Sequence, residues 1–227
     1  MKADLIAEND EQDTAVFLGT ERFSRPGCTA SLTTEWVAAR PKAAARLAAG
    51  GLVAAVGCGH GGAAIMLARA FPQASIYGYD FHERSIQVAR QRAAEAGLGD
   101  RIRFEPLGAT TYPVHGFDLI CLLDTLHDLG DPGAALAHAR NAVAPGGAVL
   151  VVEPAADDGY ASSPARPLTA FACAASTFQG TPAAPARAGG VAPGAPAAAR
   201  QLARDAGFSG FRIVAQTPVS VIFELRP

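Results

Sequence analysis

Charge is sparse in this sequence, and neither sign dominates. Across 227 residues, 19 lysines and arginines face 21 aspartates and glutamates, a formal net charge of −2. With no basic surplus there are few counterions to release from a phosphate backbone, which argues against a nucleic-acid partner. No apolar run approaches the roughly 20 residues that a membrane span needs, so no membrane partner is expected. The opening MKADLIAENDEQD is acidic and lacks the basic and apolar regions of a secretory leader, which places the chain in the cytoplasm. Cysteine is scarce too. Cys28, Cys58, Cys121 and Cys173 are scattered and form no C-x-x-C pair. Reduced thiols are expected, with neither a disulfide framework nor a metal site.

What the chain does have is apolar residue in quantity, 49% hydrophobic against 18% charged. That is enough for one well-cored domain. Residues 1–32 are polar and read as an N-terminal lead-in or arm. The remainder, 33–227, reads as one domain. TTEWVAARPKAAARLAAGG (33–51) has helical character, with Thr33 or Thr34 as N-cap candidates, Pro41 dividing it and Gly50-Gly51 stopping it. A rhythm follows: strands at 52–56, 75–79, 101–105, 117–123 and 148–154, and helices at 62–71, 82–97 and 131–143. Short apolar strands alternating with helices specify an α/β, doubly wound, mostly parallel sheet. Residues 155–199, rich in Ala, Pro and Gly, interrupt the rhythm as a lid-like or floppy insertion, with a short helix expected at 171–178. After a helix at 198–208, strands at 211–216 and 220–226 lie close enough together to pair as an antiparallel hairpin at one sheet edge.

The chemistry-bearing stretch is VAAVGCGHGG (53–62). Closely spaced glycines after a first strand let a ligand approach the backbone and let the next helix aim its N–H groups at it. The spacing fits two loops. Gly57-x-Gly59-x-x-Gly62 is the dinucleotide fingerprint, and Gly57, Gly59 and Gly61 make the G-x-G-x-G loop of S-adenosylmethionine enzymes. Asp80, at the end of the second strand, can accept both hydroxyls of a ribose, or simply cap the helix that follows. FDLICLLDTLHDLGDP (117–132) places a strand, an acid and a histidine at the carboxyl edge of the sheet. APGGAVLVVEP (144–154) puts a Pro-Gly-Gly turn before a strand.

Together with the closing antiparallel pair, these motifs resemble class I S-adenosylmethionine-dependent methyltransferases over about residues 33–154 and 198–226. More narrowly, they resemble the catalytic domains of bacterial small-molecule O-methyltransferases. FSRPGCTASLTTEW (23–36) is similar to the segment that follows an N-terminal winged-helix domain in those enzymes. With little ahead of it here, that domain is expected to be missing, and either a homodimer or a heteromeric partner remains open. The resemblance implies a Rossmann-like fold of seven strands and S-adenosylmethionine as cofactor, leaving S-adenosylhomocysteine. It implies transfer to a small, apolar acceptor in secondary metabolism, with O-methylation favoured. Gly57, Gly59 and Gly61 would wrap the methionine end of the cofactor, Asp80 would hold the ribose and Phe81 would lie against the adenine. Leu123 and Asp124 would border the sulfonium pocket, and Gly108 and Ala109 would adjoin the adenine.

His127 would be the catalytic base. A phenol of pKa about 10 costs on the order of 4 kcal/mol to ionise at neutral pH, and a histidine beside it can take the proton as the methyl arrives. His127 equally suits a packing or hydrogen-bonding role. His60 reads as a loop-orienting residue, His82 and His138 as exposed helix positions, and Asp128 and Asp131 as helix caps. The sequence departs from the family twice. Ala55 stands where an acid serving the cofactor's ammonium is usual, and Gly108 where an acid serving the adenine amine is usual. Two lost charged hydrogen bonds, each worth about 1.5–3 kcal/mol, would weaken the cofactor's hold. That leaves room for a methyltransferase-fold enzyme repurposed for proton transfer, cyclisation or dehydration, for a non-catalytic partner subunit, or for an NAD-dependent reductase.

Overall fold

The computed structural model describes residues 27–155, 194–217 and 219–227. The helix expected at 171–178, most of the 155–199 insertion and nearly all of the 1–32 lead-in lie outside the described residues. Seven strands are described: β1 (Leu52–Val56), β2 (Ser75–Tyr79), β3 (Ile102–Glu105), β4 (Phe117–Leu123), β5 (Val143–Pro154), β6 (Gly210–Gln216) and β7 (Ser220–Arg226). They form one sheet in the order β3-β2-β1-β4-β5-β7-β6. The first five run parallel, and β7 is antiparallel to both its neighbours, β5 and β6. The closing hairpin is therefore present, with its second strand inserted inward and β6 at the rim.

Alternation along the strands divides the interior in two. On one face Val53, Ala55, Leu119, Cys121, Leu150 and Val152 pack under α1 (Pro41–Ala48), α2 (Gly62–Ala70) and α3 (Glu83–Glu95). On the other, Ala54, Val56, Ile120, Leu122, Val149 and Val151 pack under α4 (Pro132–Ala142) and α5 (Pro196–Asp205). Burial on both faces is why β1 and β4 are apolar throughout apart from Asp118. Asp118, at the amino end of β4, accepts from the Leu52 N–H and pairs with Arg46, which also donates to the Pro145 carbonyl. Those bonds staple the end of the sheet opposite the glycine loop. The strand order reverses at β1, between β2 and β4, which opens a crevice at the carboxyl ends of these strands.

The 33–51 segment is divided at Pro41 as expected, into a π-helical turn at Leu32–Trp36 and then α1, which Pro41 opens at its first turn, where its missing N–H leaves no bond unmade. Two expectations are corrected. Neither Thr33 nor Thr34 caps, because helical backbone already runs from residue 27; the Thr34 hydroxyl donates back to the Ala30 carbonyl instead. β5 starts at Val143 rather than 148, since Val143 already pairs with Phe117; the next pairing is Leu119 with Ala148, so the Pro-Gly-Gly stretch forms a bulge between the two.

Candidate active site

The turn after β1 has three glycines with positive φ, Gly57 at 65°, Gly59 at 51° and Gly61 at 79°, but they do not share one reason for being glycine. A Cβ on Gly57 would lie 2.4 Å from Thr125 Cγ2, and one on Gly61 would lie 2.8 Å from Phe104. At Gly59 a Cβ would meet nothing within 4 Å. Gly57 and Gly61 are thus fixed by packing, and Gly59 alone leaves open space over the loop. Gly61 caps α2 from a left-handed conformation, so the first turn of α2 begins directly from the loop.

Asp80 ties the loops of β1 and β2 together. One carboxylate oxygen accepts from the Gly59 N–H at 2.8 Å and the other from the His82 N–H at 3.0 Å. Burial pushes its carboxyl up, while those two N–H groups and the nearby His82 and His60 pull it down; the net direction is upward. His82, rather than Asp80, caps α3, with its ring nitrogen against Ser85. Phe81 is 51% exposed, an unusually open position for a phenylalanine, and offers a bare ring next to the acid. His60 is buried within the loop. Gly108 and Ala109 follow β3; the Gly108 N–H donates to Thr111 Oγ1, and Ala109 packs on the α4 side of the core. They share the carboxyl edge without a hydrogen bond to the glycine loop.

The fourth strand supplies the other wall. Asp124 follows its last residue, Leu123, and is the one non-glycine residue with positive φ (51°) among the described residues. Its N–H donates to the Val152 carbonyl at 2.8 Å. A 3-10 turn at Leu126–Asp128 then presents His127. His127 Nδ1 lies 2.9 Å from Glu153 Oε2, and Nε2 lies 3.4 Å from Asp128. Glu153 is fully buried and also accepts from the backbone N–H groups of Leu126 and His127. Burial opposes the charged imidazole, but the Glu153 charge and hydrogen bond, then Asp128 and Asp124, prevail and push His127 up to about 9. The histidine is therefore a cation at neutral pH.

Glu153 and Thr125 escaped the sequence reading. The available signal was a lone glutamate inside AVLVVEP, in a strand buried on both faces, where an acid persists only with partners. One other expectation changes: His138 is not exposed; it lies edge-on to Tyr112, with Nε2 at 2.8 Å from the Tyr112 carbonyl. Asp131 caps its helix as expected, accepting from the Ala134 N–H at 2.8 Å. Among the described residues no cluster of His, Cys, Asp and Glu could hold a metal ion, and no helix is long and apolar enough to cross a membrane.

Residues 54–149, which run from β1 into β5, match the family model of the methyltransferase domain. Over that stretch the chain is similar to methyltransferase domains. It is 33% identical over 103 residues to the 27-O-demethylrifamycin SV methyltransferase of Amycolatopsis mediterranei, covering 44% of this chain and 38% of that protein. It is 33% identical over 118 residues to phosphoethanolamine N-methyltransferase 1 of Arabidopsis thaliana, covering 51% and 22% respectively. Among solved structures, the S-adenosylmethionine-dependent methyltransferase SibL is similar at 27% identity and a TM-score of 0.60, over 83% of this chain and 54% of that one. An O-methyltransferase family protein from Burkholderia thailandensis shares the fold, at 22% identity and a TM-score of 0.69 over 98% and 61%. The chain thus spans less than two thirds of the length of each of these relatives and solved structures. The seven-stranded sheet, with its antiparallel end, is the Rossmann-like methyltransferase fold of these neighbours.

Proposed function

We propose that this protein binds S-adenosylmethionine over the Gly57–Gly61 loop and methylates an oxygen of a small, apolar acceptor, as part of the biosynthesis of a secondary metabolite. The observation that carries the reading is the Asp80 carboxylate, which joins the β1 and β2 loops beside open space at Gly59 and an exposed ring at Phe81. An acid, an apolar face and an uncovered glycine backbone are what a nucleoside's ribose, base and chain require. Gly59, Asp80 and Phe81 would hold the adenosine, with Gly108 and Ala109 beside the base and Leu123 and Asp124 toward the reacting end. When bound, the cofactor supplies an already activated methyl group, so the chain's own task is to position the acceptor and manage its proton.

His127 would manage that proton. As a base it must be neutral, and with its pKa at about 9 the competent fraction grows roughly tenfold per pH unit below that value. Glu153 fixes the ring through Nδ1, and Nε2, which lies 3.4 Å from Asp128, is the nitrogen that would face an acceptor. The test is a titration with S-adenosylmethionine and S-adenosylhomocysteine, followed by assay of a panel of phenols for S-adenosylhomocysteine formation. Saturable binding and turnover are expected. No binding at millimolar ligand would overturn the reading.

The charge on His127 favours a second reading. An imidazolium at neutral pH is a proton donor, suited to dehydration or cyclisation on the same fold. Product formation without consumption of S-adenosylmethionine would mark it.

A further inference from the structure

The site as read above has a chemical gap. S-adenosylmethionine carries two cationic centres, a sulfonium and an α-ammonium, and β1 offers no acid to meet them. Ala55 is buried in the sheet between Gly78 and Cys121, and its methyl joins the core under α2. Asp80 is engaged at the far side of the loop by Gly59 and His82.

Thr125 fixes where the missing charge lies. Its hydroxyl is 3.4 Å from the Val56 carbonyl at the end of β1, and its side chain fills the space that a Cβ on Gly57 would need. The residue just before it, Asp124, is therefore held at the mouth of the glycine loop. Strand register agrees. Val56 pairs with Leu122, and two residues further along each chain come Cys58 and Asp124. Asp124 also raises the pKa values of both His127 and Cys28. Its carboxylate thus lies within electrostatic reach of the 3-10 turn on one side and the helical segment starting at residue 27 on the other. Its left-handed backbone, a conformation that Asp and Asn tolerate better than most residues, sets it apart from the rest of the strand.

We propose that Asp124 is the carboxylate that holds the ammonium end of the cofactor, replacing a charge that position 55 cannot supply. The inference rests on the methyl-transfer reading and deepens it. Charge on the β4 tip does from one side of the loop what an acid on β1 would do from beneath it.

The test compares S-adenosylhomocysteine with 5′-methylthioadenosine, which keeps the adenosine and thioether but lacks the amino-acid end. Both are titrated by calorimetry into the full chain and into D124N, which removes the charge while keeping a side chain that tolerates the same φ. D124G, for which that φ is unstrained, serves as a second variant, and circular dichroism checks the fold of each. In both variants S-adenosylhomocysteine should bind about 10- to 100-fold more weakly, with 5′-methylthioadenosine changed less than about twofold. D80A should weaken both ligands together. If D124N and D124G leave S-adenosylhomocysteine affinity unchanged, or reduce both ligands equally, the proposal is overturned while the methyl-transfer reading stands. If the unaltered chain binds neither ligand, both fall.

Discussion

Glu153 accepts three N–H groups from one short turn, and one of them belongs to the ring of His127. The same contact sets a pH dependence of stability. His127 titrates near 6.5 unfolded and at about 9 folded, so the folded state binds its proton more tightly. The stabilisation is complete below about pH 6.5 and is lost as pH rises through 9, on the order of 3 kcal/mol in all. Urea midpoints measured from pH 6 to pH 10 should fall across that window. In E153Q the fall should flatten, and the imidazole resonance should titrate at least one unit lower by NMR. None of this could be read from the sequence, because pairing Glu153 with His127 requires β5 to lie beside β4 in one particular register. The glycine triplet and Asp80 were legible, since each directly follows one of two successive strands, which as parallel neighbours end at one sheet edge. Their separate duties were hidden, because Thr125 and Phe104 reach Gly57 and Gly61 from distant segments.

Among the elements, the loop after β1 separates packing from binding. G57A must accommodate both a positive φ and a clash with Thr125, and should cost clearly more than the 1–2 kcal/mol or so of the backbone conformation alone. G59A meets no neighbour, so it should stay within about 1–2 kcal/mol of the parent while losing cofactor affinity. Denaturant melts paired with S-adenosylhomocysteine titrations would separate these outcomes. At the start of α4 the Asp131 carboxylate satisfies one otherwise unpaired N–H. D131A should lower stability by about 1 kcal/mol, read as a shift in urea midpoint at constant slope. Caps and breakers such as Asp131 and the proline opening α1 were readable because they act within a single turn. The Pro-Gly-Gly stretch misled, because it bulges within β5, between the pairing of Val143 with Phe117 and that of Ala148 with Leu119, instead of turning the chain ahead of the strand.

For the molecule as a whole, two buried layers flank a single sheet. Leu150, completely buried in β5 between β4 and β7, belongs to one of them. L150A should cost about 2–5 kcal/mol. I213A, on the partly exposed rim strand β6, should change stability by less than about 1 kcal/mol. Equilibrium unfolding of the two variants side by side checks that the layers, and not the rim, hold the fold. The parallel core could be anticipated from apolar runs of strand length alternating with helices. The position of β7 could not, since local patterning says that two strands pair but not which of them meets the older sheet.

That position has a consequence for assembly. β7 comes after β6 in the chain yet stands before it in the sheet. While a ribosome is still extending the polypeptide, β5 has an open flank and β6 has no strand to pair with. Both wait for the final strand to emerge and slide between them, so the two outer strands lock together in one late event and not one at a time.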